Sequence, residues 1–262
     1  MSIETTSTSG ANAAVPASGS PGFAVALSRH AWRVLAPRIE GPVRGRTREA
    51  MRRVIETRLD ARRLHERLPE LAQHSQARER LWATLLPVYR RFVARVAPPA
   101  AATSMEVAGF LTDLCSQRRP CRVLELGTGF ASAVLRRLAE PPAWTPEIWS
   151  VDDDPARLVR TRAFLAEESL STERLLSWHE FRATRESAFE LFVHELVSTP
   201  SAPLVTILDR VASGGLLLLD GAHRPAAGRE ARQLLTDAGA EHWSLRAVTR
   251  DCFGRYALLA QR

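Results

Sequence analysis

The chain has 262 residues, 45% hydrophobic and 25% charged, the composition of a folded globular protein and not of a disordered one. The formal net charge is +7, and all 36 basic residues are Arg. No apolar run approaches the roughly 18–20 residues of a membrane-spanning helix, and three cysteines without a CxxC pair exclude a disulfide scaffold or a cysteine zinc site.

Residues 1–22 are rich in Ser, Thr, Ala, Gly and Pro and read as a low-complexity tail. They lack the basic start and apolar core of a secretory signal, so the expected compartment is the cytoplasm. Residues 23–99 read as a helical extension. A short helix is expected from Phe23 to about Arg38, with Gly41, Pro42 and Gly45 as breakers. The stripe Met51, Val54, Ile55, Leu59, Leu64, Leu68 and Leu71 predicts an amphipathic helix with a charged outer face. A second helix is expected over Leu81–Val96, kinked near Pro87 and closed by Pro98 and Pro99. Residues 24–97 hold 17 Arg against seven acids. Such a segment suits nucleic acid or an anionic substrate, or is a solvated helical face.

From residue 100 to residue 262 the rhythm changes to short apolar runs alternating with helical patterns. The runs are Arg122–Leu126, Ile148–Val151, Leu175–Trp178, Phe189–His194 and Leu216–Leu219. Helices are expected at Ala131–Ala139, Ala156–Glu168, Pro203–Ala212 and Gly228–Ala238. This alternation predicts βαβ units and a mostly parallel sheet. Two final strand-like stretches, Trp243–Thr249 and Tyr256–Ala260, allow a terminal hairpin around Asp251–Gly254.

The segment most specific for chemistry is Arg122-Val-Leu-Glu-Leu-Gly-Thr-Gly-Phe-Ala-Ser132, a strand running through a Gly-x-Gly turn into a helix. Gly127 and Gly129 let a ligand approach the main chain. Glu125 precedes them, and an acid there suits a cationic amine better than a pyrophosphate. Asp152 ends the next strand and can accept both hydroxyls of a ribose. Together these imply a ligand with a ribose, a positive charge and no phosphate.

Here the sequence resembles the class I S-adenosylmethionine-dependent methyltransferases. Their first motif is similar to Glu125–Ala131, with Ala131 where many members carry a third glycine, and their ribose-binding acid matches Asp152. The stretch Gly214–His223 resembles the fifth strand and following loop of small-molecule O-methyltransferases. The resemblance implies an α/β, Rossmann-like, seven-stranded and mostly parallel sheet with an antiparallel last strand, preceded by the helical extension. It also implies S-adenosyl-L-methionine as cofactor, with Glu125, Gly127, Thr128, Gly129, Asp152, Asp153 and Trp178 around it.

Methyl transfer to a hydroxyl needs a base, and histidine suits that task near neutral pH. His223, in the loop over the expected methyl site, is the first candidate, with Asp220 placed to orient it. His194, ending the fourth strand, is the second. Glu195 and Asp220 resemble two carboxylate ligands of metal-dependent relatives, but Gly221 stands where a third, amide ligand would be, so no metal is expected. Arg250 and Arg255, in a tight turn, are candidates for holding a substrate carboxylate. Ser104 and Met105 open the helix before the first strand and border the cofactor in this reading.

The expected function is methylation of a small molecule, at oxygen, with the helical extension capping the pocket or forming a homodimer face. Two alternatives stay open. One is an RNA or DNA methyltransferase using the Arg-rich segment, against which stand the absence of interleaved aromatics and of a recognised RNA module. The other is a non-catalytic binding protein that kept the fold.

Overall fold

The computed structural model describes residues 43–72, 76–140, 144–196 and 202–262. The expected tail and the helix at residues 23–38 lie outside these. Residues 54–262 form one compact unit; of the unit before it, residues 1–53, only the start of the first helix is described.

That helix, α1 (Val43–Arg67), is followed by the short α2 (Pro69–Ala72) and by α3 (Gln76–Arg95), which contains Pro87. Gly45 is inside α1 and does not break it. The predicted stripe is buried only at its far end. Leu64, Leu68 and Leu71 are in the core, whereas Val54 and Leu59 are 54% and 41% exposed. Periodicity marks a face, but only a partner decides how much of that face is covered.

The sheet is built from β1 (Arg122–Leu126), β2 (Glu147–Asp152), β3 (Leu175–Ser177), β4 (Phe189–Glu195), β5 (Val211–Asp220), β6 (Glu241–Ser244) and β7 (Leu258–Gln261). The strand order is β3-β2-β1-β4-β5-β7-β6. β1 to β5 pair in parallel, and β7 enters antiparallel between β5 and β6. The parallel strands are near-continuous Leu, Val and Phe because both faces are covered. On β5, Leu216 and Leu218 enter one apolar layer while Leu217 and Leu219 enter the other, the period of two that a strand imposes.

α4 (Met105–Arg118) leads into β1, and the crossovers are α5 (Phe130–Leu138), α6 (Pro155–Glu167), α7 (Trp178–Ala183), α8 (Ala202–Leu208) and α9 (Pro225–Asp237). Several boundaries differ from expectation. Trp178 is not strand but the first residue of α7: Ser177 Oγ accepts from Glu180 N at 3.2 Å, and Glu180 Oε2 accepts from Ser177 N at 2.7 Å. This reciprocal cap starts the helix one residue after β3. α8 stops at Leu208, because Val211 already pairs with Phe189 on β4. The stretch Trp243–Thr249 is strand only to Ser244, then the helical turn α10 (Arg246–Thr249); the last strand begins at Leu258 and not at Tyr256. The tight turn at Asp251–Gly254 is present, closed by Gly254 N donating to Asp251 O at 3.0 Å.

α3 is fastened to α5 and α6 by an aromatic cluster. Phe92, 1% exposed, lies 5.6 Å from the Phe130 ring and edge-on to Phe164 at 5.2 Å; Tyr89 meets Phe130 edge-on at 5.0 Å. On the rim, Arg91 grips Glu168 with two nitrogens and Arg95 pairs with Glu167. At the far edge, α1 covers the end of β6: Ser244 N donates to Asp60 Oδ2 at 3.2 Å, and Arg67 pairs with Glu241 at 3.1 Å. Phe92→Ala should therefore lower unfolding free energy by about 3–5 kcal/mol, the range for emptying a packed aromatic site, as read by denaturant titration.

Candidate functional site

All five parallel strands end on one edge, and the sequence-selected residues gather there. Leu126 pairs with Val151 and His194, Asp152 with Ser177, and Glu195 with Asp220. The carboxyl ends of parallel strands are where open α/β sheets hold ligands.

The glycine turn is shaped by what surrounds it. Gly127 has φ +93°, in the left-handed region that favours glycine, and its N–H donates to Val151 O at 2.8 Å. A Cβ at Gly129 would meet nothing within 4 Å, so the chain surface there is open. Thr128 is tied down: its N–H and Oγ1 both donate to Asp152 Oδ2, at 2.6 and 2.7 Å. Gly129 N–H donates to Ser132 Oγ at 3.1 Å, which starts α5.

Glu125 lies behind the turn, 1% exposed. Its Oε2 accepts from Ser132 Oγ at 2.7 Å and Ser150 Oγ at 2.6 Å, and Ser150 Oγ in turn accepts from the buried Arg136 at 2.8 Å. Oε1 is buried and has no hydrogen-bond partner. Burial pushes the carboxyl up to about 7, against the pull of the two serines and Arg136. Ser132, Ser150 and Arg136 were not singled out from sequence; a Ser seven residues after an acid carries no signal until the turn folds it back.

The three consecutive acids have separate places. Asp152 is 1% exposed and holds Thr128 through Oδ2, while its Oδ1 accepts from Asp154 N at 2.9 Å. Asp154 caps α6, its Oδ1 accepting from Ala156 N at 2.9 Å and Arg157 N at 3.2 Å, which holds its pKa below the usual carboxylate value. Asp153 is exposed, its side chain at 66%. Trp178 stands half-buried at the end of β3, 5.9 Å from the Phe181 ring. Ser104 caps α4, accepting from Val107 N at 3.2 Å, and both Ser104 and Met105 are buried.

The histidines differ sharply. His194 is 3% exposed, and its Nδ1 is 3.0 Å from Leu126 O. A carbonyl accepts, so Nδ1 carries the proton and the ring ties β4 to β1; burial lowers its pKa. His223 is half-buried and edge-on to Tyr256 at 6.5 Å. Its Nδ1 is buried without a partner. Burial, then the charges of Arg224 and Arg255, depress its pKa, so the imidazole is neutral near pH 7.

Asp220 does not orient His223 as expected. Its Oδ1 accepts instead from Gly221 N at 2.6 Å, and burial raises its pKa. Glu195 is pushed up to about 7 by burial and then by Asp220. Gly221 has φ +85°, and a Cβ there would be 3.3 Å from Leu196 O, so the position suits glycine and disfavours a ligating side chain. Among the described residues no three His, Cys, Asp or Glu converge as a metal cluster. Arg255 is committed elsewhere: it donates to Asp251 Oδ2 at 2.6 Å and to the carbonyls of Ala100 and Ala102 at 3.0 and 2.9 Å, pinning the last loop over the start of α4. It is therefore not a free clamp for a substrate carboxylate; Arg250 remains exposed. Among the described residues no helix is long and apolar enough to cross a membrane.

No family model matches the chain, and no curated protein matches it. Solved structures do. The cofactor-bound Rv0187 from MTB is 18% identical over 72% of this chain and 98% of its own, with a TM-score of 0.54. A Staphylococcus aureus protein assigned as a caffeoyl-CoA O-methyltransferase is 11% identical over 71% of this chain and 99% of its own, at 0.52. A methyltransferase from Geobacter sulfurreducens is 18% identical over 69% and 88%, at 0.50. The fold is that of the class I S-adenosylmethionine-dependent methyltransferases.

The raised pKa of Glu125 has a definite sign. Between about pH 4.5, its usual value, and about 7 the folded state binds more protons than the unfolded one. The stability it contributes is thus complete at low pH and is lost as pH rises through 7. Glu125→Gln should flatten this loss, on the order of 1–3 kcal/mol, in denaturant titrations run across that window; Glu195 and Asp220, raised likewise, add to the slope, and His194 and His223, lowered, oppose it.

Proposed function

We propose that this chain is an S-adenosylmethionine-dependent methyltransferase acting on an oxygen of a small-molecule acceptor. The observation that carries the reading is the Gly127–Gly129 turn, open to a ligand at Gly129 and tied through Thr128 to Asp152 at the carboxyl edge of a methyltransferase-type sheet. The residues suit the cofactor. The open cradle at Gly129 admits a chain close to the backbone, acids stand on the tips of β2 and β4 for a ligand with positive charge, and buried donors and acceptors are left over at Glu125 and His223. S-adenosylmethionine would supply a methyl group already activated by its sulfonium.

The protein's part is alignment and proton removal. Asp152, which the sequence suggests for both ribose hydroxyls, would receive one of them on the lone pair its Oδ1 keeps beside the Asp154 N–H, and Trp178, the first residue of α7 after β3, would lie beside the adenine. His223, neutral and half-buried after β5, would take the acceptor's hydroxyl proton on Nε2, its Nδ1 being buried, as the new carbon–oxygen bond forms. His194, 3% exposed within the sheet, is the poorer candidate, since a bound acceptor has little access to its ring. The S. aureus structure, assigned as a caffeoyl-CoA O-methyltransferase, supports the small-molecule reading. So does the use of basic residues: Arg67, Arg91 and Arg95 are paired with acids, which reduces the charge the helices offer to nucleic acid.

Two measurements test the reading. Asp152→Ala should weaken S-adenosylhomocysteine binding by about 1–3 kcal/mol, the scale of lost hydrogen bonds to a charged group; equal affinity by calorimetry would remove Asp152 from the site. His223→Ala should slow turnover by at least about 10²-fold with cofactor affinity unchanged, and full activity in that variant would end its role as base.

A further inference from the structure

Asp152 is expected to receive a ribose, yet its carboxylate already has company. Arg157, in the first turn of α6, places Nε 2.9 Å from Asp152 Oδ2 and Nη2 3.7 Å from Asp153 Oδ1. Asp152 Oδ2 also accepts from Thr128 N and Oγ1. A carboxylate oxygen has two in-plane lone pairs, and the two Thr128 donors fill them. Arg157 is accordingly close without being aligned: its Nε is buried and makes no hydrogen bond. What holds it is charge. Its guanidinium also pulls down the pKa of Glu195 on the tip of β4, which places it among the acids that surround the glycine turn.

We infer that Arg157 is an internal counter-cation of the cofactor site, resting on Asp152 in the ligand-free protein and swinging away when a ribose hydroxyl reaches the one lone pair that Asp152 Oδ1 keeps beside the Asp154 N–H. The inference rests on the cofactor reading given above. Its physical basis is competition for access to one carboxylate: Thr128 fills Oδ2, Oδ1 keeps one lone pair, and with Arg157 in place the Asp152 side chain is fully covered. Thr128 cannot leave, since its two bonds shape the turn that a ligand needs. The Asp154 N–H cannot leave, since it belongs to the start of α6. Arg157 alone is movable: a long side chain, 31% exposed, held by an unaligned contact. Every molecule with Arg157 in place is closed to the ribose, so the apparent affinity falls by the fraction that is open. In exchange, the guanidinium keeps Asp152 and Asp153 from repelling one another while the site is empty.

The test is calorimetric titration of the full chain with S-adenosylhomocysteine and, separately, with adenosine, which carries the ribose alone. Arg157→Ala and Arg157→Gln should both bind each ligand about 3–10-fold tighter than the parent. Thermal unfolding of the ligand-free variants checks that they are folded, and Arg157→Gln, which keeps most of the side chain's volume, guards against a packing defect in Arg157→Ala. Unchanged or weaker affinity in both folded variants, with the parent binding normally, overturns the role of Arg157 and leaves the cofactor reading standing. Absence of binding in the parent and in both variants brings down the cofactor reading, and the inference with it.

Discussion

The bond on which the site depends is the one between Thr128 and Asp152. Two donors of one residue converge on a single buried carboxylate oxygen, at 2.6 and 2.7 Å. Hydrogen bonds to a charged group contribute about 1.5–3 kcal/mol each, so this tie fixes the loop after β1 to the tip of β2. With Thr128 fixed, Gly127 and Gly129 are held as an open surface, and Ser132 is brought round to Glu125. The turn is thereby set before any ligand arrives, which is what preorganisation requires.

The network behind the turn reads as support from beneath. Glu125, Ser132, Ser150 and Arg136 draw together β1, β2 and α5, and they do so out of contact with water. A buried acid of this kind is expensive unless paired. Here two hydroxyls and a nearby guanidinium support it, one oxygen is orphaned, and burial still outweighs them and raises its pKa. The helical extension acts on the same place from the other side. Phe92 and Tyr89 press on Phe130, the residue that follows Gly129, so α3 and the glycine turn are mechanically linked.

Much of the fold was legible because its signals are local. The Leu- and Val-rich runs of β1 and β5 and the amphipathic stretches between them specify parallel strands and crossovers wherever they occur. The misplacements have physical causes. Trp178 reads as strand by propensity, but the Ser177–Glu180 cap outbids it and starts a helix. The apolar character of Trp243–Thr249 is shared by a strand and a helical turn, and only pairing with β7 shows where one ends. The far end of α1 is buried and its middle is not, which no periodicity can announce.

For the site, the sequence by itself determined the cast: an acid-first glycine turn, an acid at the next strand's tip, and histidines and acids after the fourth and fifth strands. It could do so because strand order and strand ends follow from short-range patterns. The tertiary structure alone decided what each residue is free to do. Asp152, Asp153 and Asp154 are equivalent in sequence, yet one ties a loop, one faces solvent and one caps a helix. His223 and His194 are first and second candidate bases by their place after the strands, and only the fold shows that the first is half-buried while the second is closed into the sheet. Arg255 is bound to Asp251 and two carbonyls, and Arg157 rests on the carboxylate expected to hold a ribose. The reason is that availability is a property of hydrogen-bond partners, and partners distant in the chain meet only when the chain has folded.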